Sequence, residues 1–334
     1  MPITAHEFQL ASRPTGLPTA ANFRLVEREL PDPGDGELLV RNDLLSVDPY
    51  MRGRMNAGTS YVPAFELDQA MDGSAVGTVL ASGDPAVEVG ATVLHMAGWR
   101  DYAVLGSQQA TVLNTDRAPA SSYLNAMGFI GMTAWAGLLI VAEFKPGDTV
   151  FVSGAAGAVG SLTGQIAKAK GAARVIGSAG GPAKAQTLLT EFGYDAAIDY
   201  RAGDLPGQLA AAAPDGIDVY FDNVGGDHLE AALGALNGFG RVAVCGAISG
   251  YNATEEAAGP RNLEHVLWKQ LTLRGFLVGA FASRQQEFED EMVTWLADGL
   301  VKEVETLADG LESAPDAFLA LFSGGNTGKM LVRL

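Results

Sequence analysis

The sequence predicts an α/β protein in which a doubly wound parallel sheet is inserted into a β-rich domain. Between residues 125 and 300, short apolar runs alternate with helical segments, which is typical of parallel strands covered on both faces. A glycine-rich turn follows the first of these runs, and strand-like segments occupy both ends of the chain. We therefore assign residues 1–124 and 301–334 to the β-rich domain and residues 125–300 to the inserted domain.

The glycine-rich turn contains Gly154, Gly157 and Gly160, spaced three apart between an apolar strand and a helix. A side chain in the turn would keep the backbone away from a pyrophosphate, and one at Gly160 would push the helix off the strand. The helix N-terminus would offer N–H groups and a positive dipole end to the phosphates. The pattern predicts the nucleotide-binding half of a Rossmann fold.

The strand after this helix ends at residues 178–181, Ser-Ala-Gly-Gly, without an acidic residue. Enzymes that use NAD place Asp or Glu near this point to hold the ribose 2′-hydroxyl. A carboxylate would repel the 2′-phosphate of NADP, whereas Lys184, three residues further on, would bind it. The sequence therefore predicts NADP(H) as the cofactor.

The other expected elements follow from apolar periodicity and from Gly, Pro and Asp turns. Strands of the β-rich domain are expected at 37–45, 75–82, 92–95 and 102–105, and the chain is expected to be β-like again after residue 300. Further parallel strands are expected at 196–200, 217–223, 241–246 and 271–276. Helices are expected at 125–142, 183–192, 205–213, 227–236 and 263–270. They are followed by a last amphipathic helix with Phe288, Met292, Trp295 and Leu296 on one face.

Composition excludes several functional classes. The net charge of −17 over 334 residues disfavours binding to nucleic acid or to an anionic membrane surface. The sequence shows neither a signal-peptide pattern nor an apolar run of about 18 residues, so a cytoplasmic location is expected. The one cysteine, Cys245, lies in an apolar run, which favours a buried, inert thiol over a nucleophile.

Seven sequence blocks resemble the zinc-independent medium-chain dehydrogenase/reductases, in the branch of alkenal/enone double-bond reductases that includes prostaglandin and curcumin reductases. These blocks occupy residues 46–55, 71–73, 95–100, 131–135, 221–226, 245–252 and 326–329. The Asp-Pro-Tyr-Met-Arg block at 48–52 and the Gly-Ala-Ile-Ser-Gly-Tyr-Asn block at 246–252 are specific to this branch. The resemblance implies a GroES-like catalytic domain around the Rossmann domain.

The resemblance also implies roles for individual residues. Tyr251 is the expected hydrogen-bond donor to the substrate carbonyl, and Tyr50 and Arg52 are expected to line the substrate cleft. Lys184 and Tyr200 correspond to the 2′-phosphate contacts, although Ala183 stands where the family commonly has Glu. The remaining expected cofactor contacts are Met132, Thr133, Gly154, Ala156, Gly157, Ala158, Val159, Gly160, Ser178, Asn223, Cys245 and Asn326.

The residues that this chain has at the zinc positions of its relatives limit which reaction we expect. Zinc-dependent relatives have a Cys in the loop matching residues 46–48 and a His-Glu pair at the position of Met71 and Asp72, so no metal is expected here. A conjugated C=C bond needs only hydride at the β-carbon and a hydroxyl donor for the resulting enolate. We therefore expect reduction of α,β-unsaturated aldehydes or ketones; the alternatives are an NADPH:quinone oxidoreductase and a catalytically silent NADPH-binding protein.

The run at residues 271–276 is apolar, ends the expected parallel sheet and contains no proline. Such an edge is able to pair with a second copy of itself. The family resemblance implies the same arrangement. A homodimer is therefore expected.

Overall fold

Two antiparallel strands begin the chain in the computed structural model, which describes residues 3–58, 61–255 and 258–334. These are β1 (Ile3–Leu10) and β2 (Phe23–Leu30), paired over their full length. The next elements are β3 (Glu37–Ser46), α1 (Met51–Arg54), β4 (Ala75–Ser82), β5 (Thr92–His95), β6 (Tyr102–Gly106) and β7 (Thr111–Val112). The strands β3 to β6 match the predicted ones, whereas β1, β2 and β7 were not predicted.

The inserted segment begins with a helix, α2 (Phe129–Ala136), that continues as a π-helical turn over Gly137–Val141. Its strands are β8 (Thr149–Val152), β9 (Arg174–Ala179), β10 (Ala196–Asp199), β11 (Ile217–Asp222), β12 (Leu236–Val244) and β13 (Thr272–Gly275). Its other helices are α3 (Ala158–Ala169), α4 (Pro182–Thr190), α5 (Leu205–Ala212), α6 (Gly226–Ala235), α7 (Glu264–Trp268) and α8 (Gln285–Ala297).

The six strands form one parallel sheet in the order β10-β9-β8-β11-β12-β13. Strand order reverses between β8 and β11, and this switch point is where α/β sheets of this type bind their ligands. Phe151 and Tyr220, on adjacent strands, stack at 5.1 Å and are fully buried. The predicted doubly wound fold is confirmed.

The C-terminal elements are β14 (Glu305–Asp309), α9 (Ala314–Ser323) and β15 (Lys329–Arg333). The two strands join the sheet β14-β15-β3-β4-β5-β7, in which β6 also pairs with β3. The expectation of β structure throughout this end of the chain was wrong at α9. Pro315 lies in the first turn of α9, where proline is compatible with a helix, and Gly324, at φ 76°, ends it.

Two compact units result. One contains Met1–Leu124, Glu305–Asn326 and Met330–Leu334, and the other contains Asn125–Val304 and Thr327–Lys329. In the first unit, the buried Trp99 stacks on Phe23 at 5.7 Å and meets Phe8 and Phe318 edge-on. The strands β1 and β2, missed by the sequence analysis, therefore complete this core.

Short 3₁₀ helices connect the longer elements. They cover Ala20–Asn22, Ser107–Gln109, Ala120–Leu124, Tyr200–Ala202, Ile248–Gly250, Val278–Arg284 and Leu311–Ser313. Among the residues that the structure describes, no helix combines the length and the apolar character needed to cross a bilayer.

Candidate active site

The turn between β8 and α3 has a backbone that glycine alone fits. Gly154 has a φ of 59°, in the left-handed region. A Cβ on Gly160 would lie 2.4 Å from the carbonyl oxygen of Gly154. Gly157 precedes α3, whose first turn contains Ala158 and Val159, both half-buried. The N–H groups at the start of this helix have no partners within it and are the donors that a pyrophosphate requires.

A segment distant in sequence supports this turn. The N–H of Gly328 donates to the carbonyl of the buried Ala156 at 2.8 Å, and Gly328 pairs with Gly157 as an isolated bridge. Gly328 has a φ of 67°, and a Cβ on it would lie 1.9 Å from the carbonyl oxygen of Val304. The backbone of Gly328 thus holds the turn at two of its residues. Asn326, which immediately precedes them, is half-buried.

The ends of β8 and β11 are joined at the switch point by Asn223. Its backbone N–H donates to Ser153 Oγ at 3.0 Å, and its Nδ2 donates to the Ser153 carbonyl at 2.8 Å. The buried carboxylate of Asp222 accepts from the N–H groups of Val224 and Gly225 at 2.9 and 2.8 Å. The loop after β11 is therefore fixed beside the glycine turn.

Beyond the end of β9, several donor groups lie close together. Lys184, near the start of α4, has its pKa lowered by burial and by the charge of Arg201. A Cβ on Gly180 would lie 2.8 Å from the hydroxyl of Tyr200 and 2.9 Å from Nε of Arg201. The missing side chain of Gly180 therefore leaves room for these groups. Two cations and a hydroxyl in this position form a site that suits a phosphate dianion.

An acidic residue also reaches this loop, but from the next strand. Asp199, at the end of β10, accepts hydrogen bonds through Oδ1 from the N–H of Gly181 at 2.7 Å and of Arg201 at 3.0 Å. One oxygen of this carboxylate thus organises the loop. The stretch 178–181 itself contains no acid, as the sequence analysis noted.

Ser178 faces the interior of this end of the sheet. Its side chain is fully buried, and its Oγ lies 2.7 Å from Nε2 of His228 on α6. The ring of His228 meets the ring of Tyr200 edge-on, with centroids 5.2 Å apart. The hydroxyl of Ser178 is thus engaged inside the protein.

Three predicted residues lie on elements that flank the switch point. Met132 is buried in α2, and the hydroxyl of Thr133 donates to the carbonyl of Phe129 at 2.6 Å. Cys245 follows β12, and its N–H donates to the Asp222 carbonyl at 2.8 Å. Burial and, less strongly, Asp222 raise the pKa of the Cys245 thiol to about 12. The thiol is therefore protonated at neutral pH, which supports the prediction that it is inert. The residue itself is half-buried, so the expected full burial was wrong.

Tyr251 ends the 3₁₀ turn that follows β12. Its hydroxyl accepts a long hydrogen bond, 3.4 Å, from the N–H of Ala247, and lies 3.2 Å from where a Cβ on Gly246 would be. Burial raises the pKa of this half-buried tyrosine. Tyr251 therefore remains a protonated donor at the carboxyl edge of the parallel sheet, the edge at which the glycine turn also lies.

Tyr50 and Arg52 belong to the other unit. Tyr50 immediately precedes α1, and Arg52 lies within it. The guanidinium of the buried Arg52 donates to the Gly16 carbonyl at 2.8 Å and to Asn56 Oδ1 at 2.6 Å. These contacts favour a role for Arg52 in holding its neighbouring segments. Tyr50 is half-buried and hydrogen-bonded to Arg54, and burial raises its pKa, so it is also a protonated hydroxyl.

Known proteins resemble the chain over nearly its whole length. The profile described as the N-terminal domain of oxidoreductase matches residues 6–113, and the profile described as zinc-binding dehydrogenase matches residues 158–298. The NADPH-dependent curcumin reductase of Escherichia coli is 41% identical over 97% of this chain and 95% of its own. The NADP(+)-dependent 2-alkenal reductase of Nicotiana tabacum is 41% identical over 95% of this chain and 94% of its own.

The fold agrees with these sequence matches. The crystal structure of CurA from Vibrio vulnificus in complex with NADPH superposes with a TM-score of 0.93, at 43% identity and 98% coverage of both chains. This chain belongs to the medium-chain dehydrogenase/reductase family. Within the family it falls in the alkenal/enone reductase branch, so the predicted resemblance is confirmed.

The polar residues at the zinc positions of this medium-chain dehydrogenase/reductase are engaged by other side chains. In the loop where zinc-dependent relatives have Cys, Ser46 donates a hydrogen bond to Asp48. Asp72 forms an ion pair with Arg54, and Met71 is a buried core residue. No group of three or more His, Cys, Asp or Glu side chains within residues 3–58, 61–255 and 258–334 is arranged to hold a metal ion. These residues do not fit a zinc site.

Sequence reasoning missed Arg201, Asp199, His228 and the role of Gly328. Arg201 directly follows Tyr200, so its charge was a signal that could have been used. His228 lies 50 residues from Ser178, and no local pattern relates the two. The contact of Gly328 with Ala156 depends on the chain returning to the turn, which periodicity does not reveal.

Proposed function

We propose that this enzyme uses NADPH to reduce the conjugated C=C bond of α,β-unsaturated aldehydes and ketones. The observation that carries the proposal is the position of Tyr251, a protonated hydroxyl at the same sheet edge as the glycine turn. The names of two relatives, a curcumin reductase and a 2-alkenal reductase, support this substrate class.

The residues of the second unit fit a dinucleotide with a 2′-phosphate. Gly154 and Gly157 keep the turn free of side chains where the pyrophosphate would lie, Gly160 lets α3 pack closely on the turn, and the first turn of α3 supplies N–H donors. Lys184, Tyr200 and Arg201 would hold the 2′-phosphate. When bound, NADPH supplies the hydride that adds to the β-carbon of the substrate.

Tyr251 stabilises the charge that develops on the substrate carbonyl oxygen. The raised pKa keeps its hydroxyl protonated, so it donates a hydrogen bond to the forming enolate and retains its own proton. In its contact with Ala247 the hydroxyl oxygen accepts, so this contact does not use the hydroxyl proton that the substrate requires. Water then supplies a proton to the α-carbon.

The experiment is an assay of NADPH oxidation with an alkenal, a cyclic enone and a quinone. The proposal predicts turnover of the alkenal or the enone, with a saturated carbonyl compound as product. Turnover of the quinone alone would make the protein a quinone oxidoreductase. NADPH binding without any turnover would make it a silent binding protein.

We also propose that the reaction needs no zinc, because at the family's metal positions Ser46 is hydrogen-bonded to Asp48 and Asp72 is paired with Arg54. Activity is then expected to survive prolonged treatment with EDTA, and metal analysis of the purified protein is expected to find no stoichiometric zinc. One zinc per chain, with activity lost on its removal, would contradict this proposal.

A homodimer formed through β13 is proposed as the assembly. β13 is an edge strand of the parallel sheet. Apolar side chains near it are exposed: Leu267 by 76%, Trp268 by 69% and Phe239 by 68%. Pairing with a second copy would cover both the strand edge and these side chains. Light scattering at micromolar concentration is expected to give twice the monomer mass, and a monomer would refute the assembly.

A cytoplasmic location is proposed as well. The single cysteine, whose raised pKa keeps it protonated, agrees with a reducing compartment, where proteins do not depend on disulfides. Cell fractionation tests this location, and recovery of the protein outside the cytoplasmic fraction would contradict it.

A further inference from the structure

His228 packs against two residues at the expected 2′-phosphate end of the site. It is only 6% exposed, and its Nε2 lies 2.7 Å from Oγ of Ser178, which is itself fully buried in β9. On its other side, its ring meets the ring of Tyr200 edge-on at 5.2 Å. A hydrogen bond from the sheet and an aromatic contact therefore fix the orientation of His228.

Tyr200 needs such support to present its hydroxyl in one place. It lies in a short 3₁₀ turn and is 39% exposed, so its ring is covered only in part. Its hydroxyl nevertheless approaches the backbone of Gly180 so closely that a Cβ there would be 2.8 Å away. Without the ring of His228, the tyrosine would be able to leave this position by rotation about χ1.

We propose that His228 is a positioning residue for the 2′-phosphate: anchored on Ser178, it holds Tyr200 so that the tyrosine hydroxyl, above Gly180, meets the phosphate. The inference rests on the proposed use of NADPH and adds a residue of this chain that does not itself contact the reacting atoms. The cofactor preference would then depend on a chain of contacts from β9 through α6 to the loop after β10.

The test compares binding of 2′,5′-ADP and 5′-AMP to the full-length protein by isothermal titration calorimetry. His228→Ala removes the aromatic edge contact with Tyr200 and is expected to raise the Kd for 2′,5′-ADP about 3- to 10-fold. The Kd for 5′-AMP, which lacks the 2′-phosphate, is expected to stay within about twofold. Equal losses for the two probes would overturn the proposal.

A double-mutant cycle separates positioning from a general effect on the fold. In a Tyr200→Ala background, His228→Ala is expected to have no further effect on the Kd for 2′,5′-ADP, because there is no tyrosine left to hold. If the two substitutions each weaken binding of 2′,5′-ADP and their effects on the Kd multiply in the double variant, His228 does not act through Tyr200. Where His228→Ala does not fold, His228→Phe and Ser178→Ala replace it, because each removes the hydrogen bond that anchors the ring at position 228. A selective rise in the Kd for 2′,5′-ADP is then expected, and an equal rise in the Kd for 5′-AMP would overturn the proposal.

Binding of these two probes does not require turnover, so this test is separate from the test of the reaction. A wild-type protein that discriminates between the two probes but does not reduce enones would refute the proposed reaction and leave the role of His228 standing. A wild-type protein without a preference for 2′,5′-ADP would overturn both the cofactor assignment and the role of His228.

Discussion

The backbone N–H of Gly328 donates a hydrogen bond to the carbonyl of Ala156, so the last segment of the chain supports the turn expected to bind the pyrophosphate. This contact joins residues 172 positions apart (328 − 156). The positive φ of Gly328 and the nearby carbonyl of Val304 leave no room for a side chain there. The shape of the turn thus depends on a residue outside the glycine motif.

Substitution of Gly328 by Ala is therefore expected to disturb the turn. Its left-handed φ and the overlap with Val304 are expected to destabilise the fold by about 2 kcal/mol or more and to weaken NADPH binding. Thermal unfolding and titration with NADPH measure the two effects. Gly279→Ala is the matched control, because its Cβ would meet nothing within 4 Å. A Gly328→Ala protein with unchanged NADPH affinity would show that the segment does not shape the turn.

Lys184→Ala is expected to raise the KM for NADPH about 10- to 100-fold and to leave the KM for NADH nearly unchanged. The reason is the loss of a charge-assisted contact with the 2′-phosphate, which NADH lacks. Lys168→Ala, which removes a lysine paired with Asp195 on the same domain, controls for the loss of surface charge. An equal rise for both cofactors would show that Lys184 does not recognise the phosphate.

Tyr251→Phe is expected to lower kcat about 10- to 100-fold with little change in KM, because the donor acts on charge that develops in the transition state. Steady-state kinetics with an enone measures this. Tyr123→Phe, which removes a hydroxyl bonded to the Asn114 carbonyl in the other unit, is expected to keep full activity. Wild-type kcat in the Tyr251 variant would assign enolate stabilisation to another group.

Stability is expected to fall as the pH is lowered from about 6.5 to 4, partly because of His95. Burial and the charge of Arg100 lower the pKa of this buried histidine to about 4. In that pH range the unfolded state binds a proton that the folded state does not, which costs up to about 3 kcal/mol. The lowered pKa of the buried His228 also reduces stability as the pH falls.

Urea unfolding at several pH values measures how steeply the free energy of unfolding depends on pH. His95→Gln should make this dependence less steep, and an unchanged slope would refute the assignment.

The sequence predicted the parallel sheet because its strands are short apolar runs with both faces covered, and such runs stand out locally. β2 was missed because it is largely exposed and rich in charged residues, which hides an edge hairpin. In α9, the helical spacing of Ala314, Ala317, Phe318 and Leu321 was present in the sequence, but the segment was expected to be β-like.

The glycine turn and Lys184 were predictable because their chemistry depends on neighbours in sequence. The contacts of His228 with Ser178 and Tyr200 were not, because they depend on how α6 packs against the sheet. Arg52 shows the converse: a charged residue in a motif block turned out to be bonded to the Gly16 carbonyl and Asn56. A motif identifies residue types, and only the fold determines which of their groups are already engaged.

The most direct test of the proposed function is the position of deuterium in the product formed with NADPH labelled by deuterium at the transferred hydride. NMR of the product is expected to show deuterium on the β-carbon, an intact carbonyl group, and a second deuterium on the α-carbon when the solvent is D₂O. An allylic alcohol carrying deuterium on the former carbonyl carbon would contradict the account and make this enzyme a carbonyl reductase.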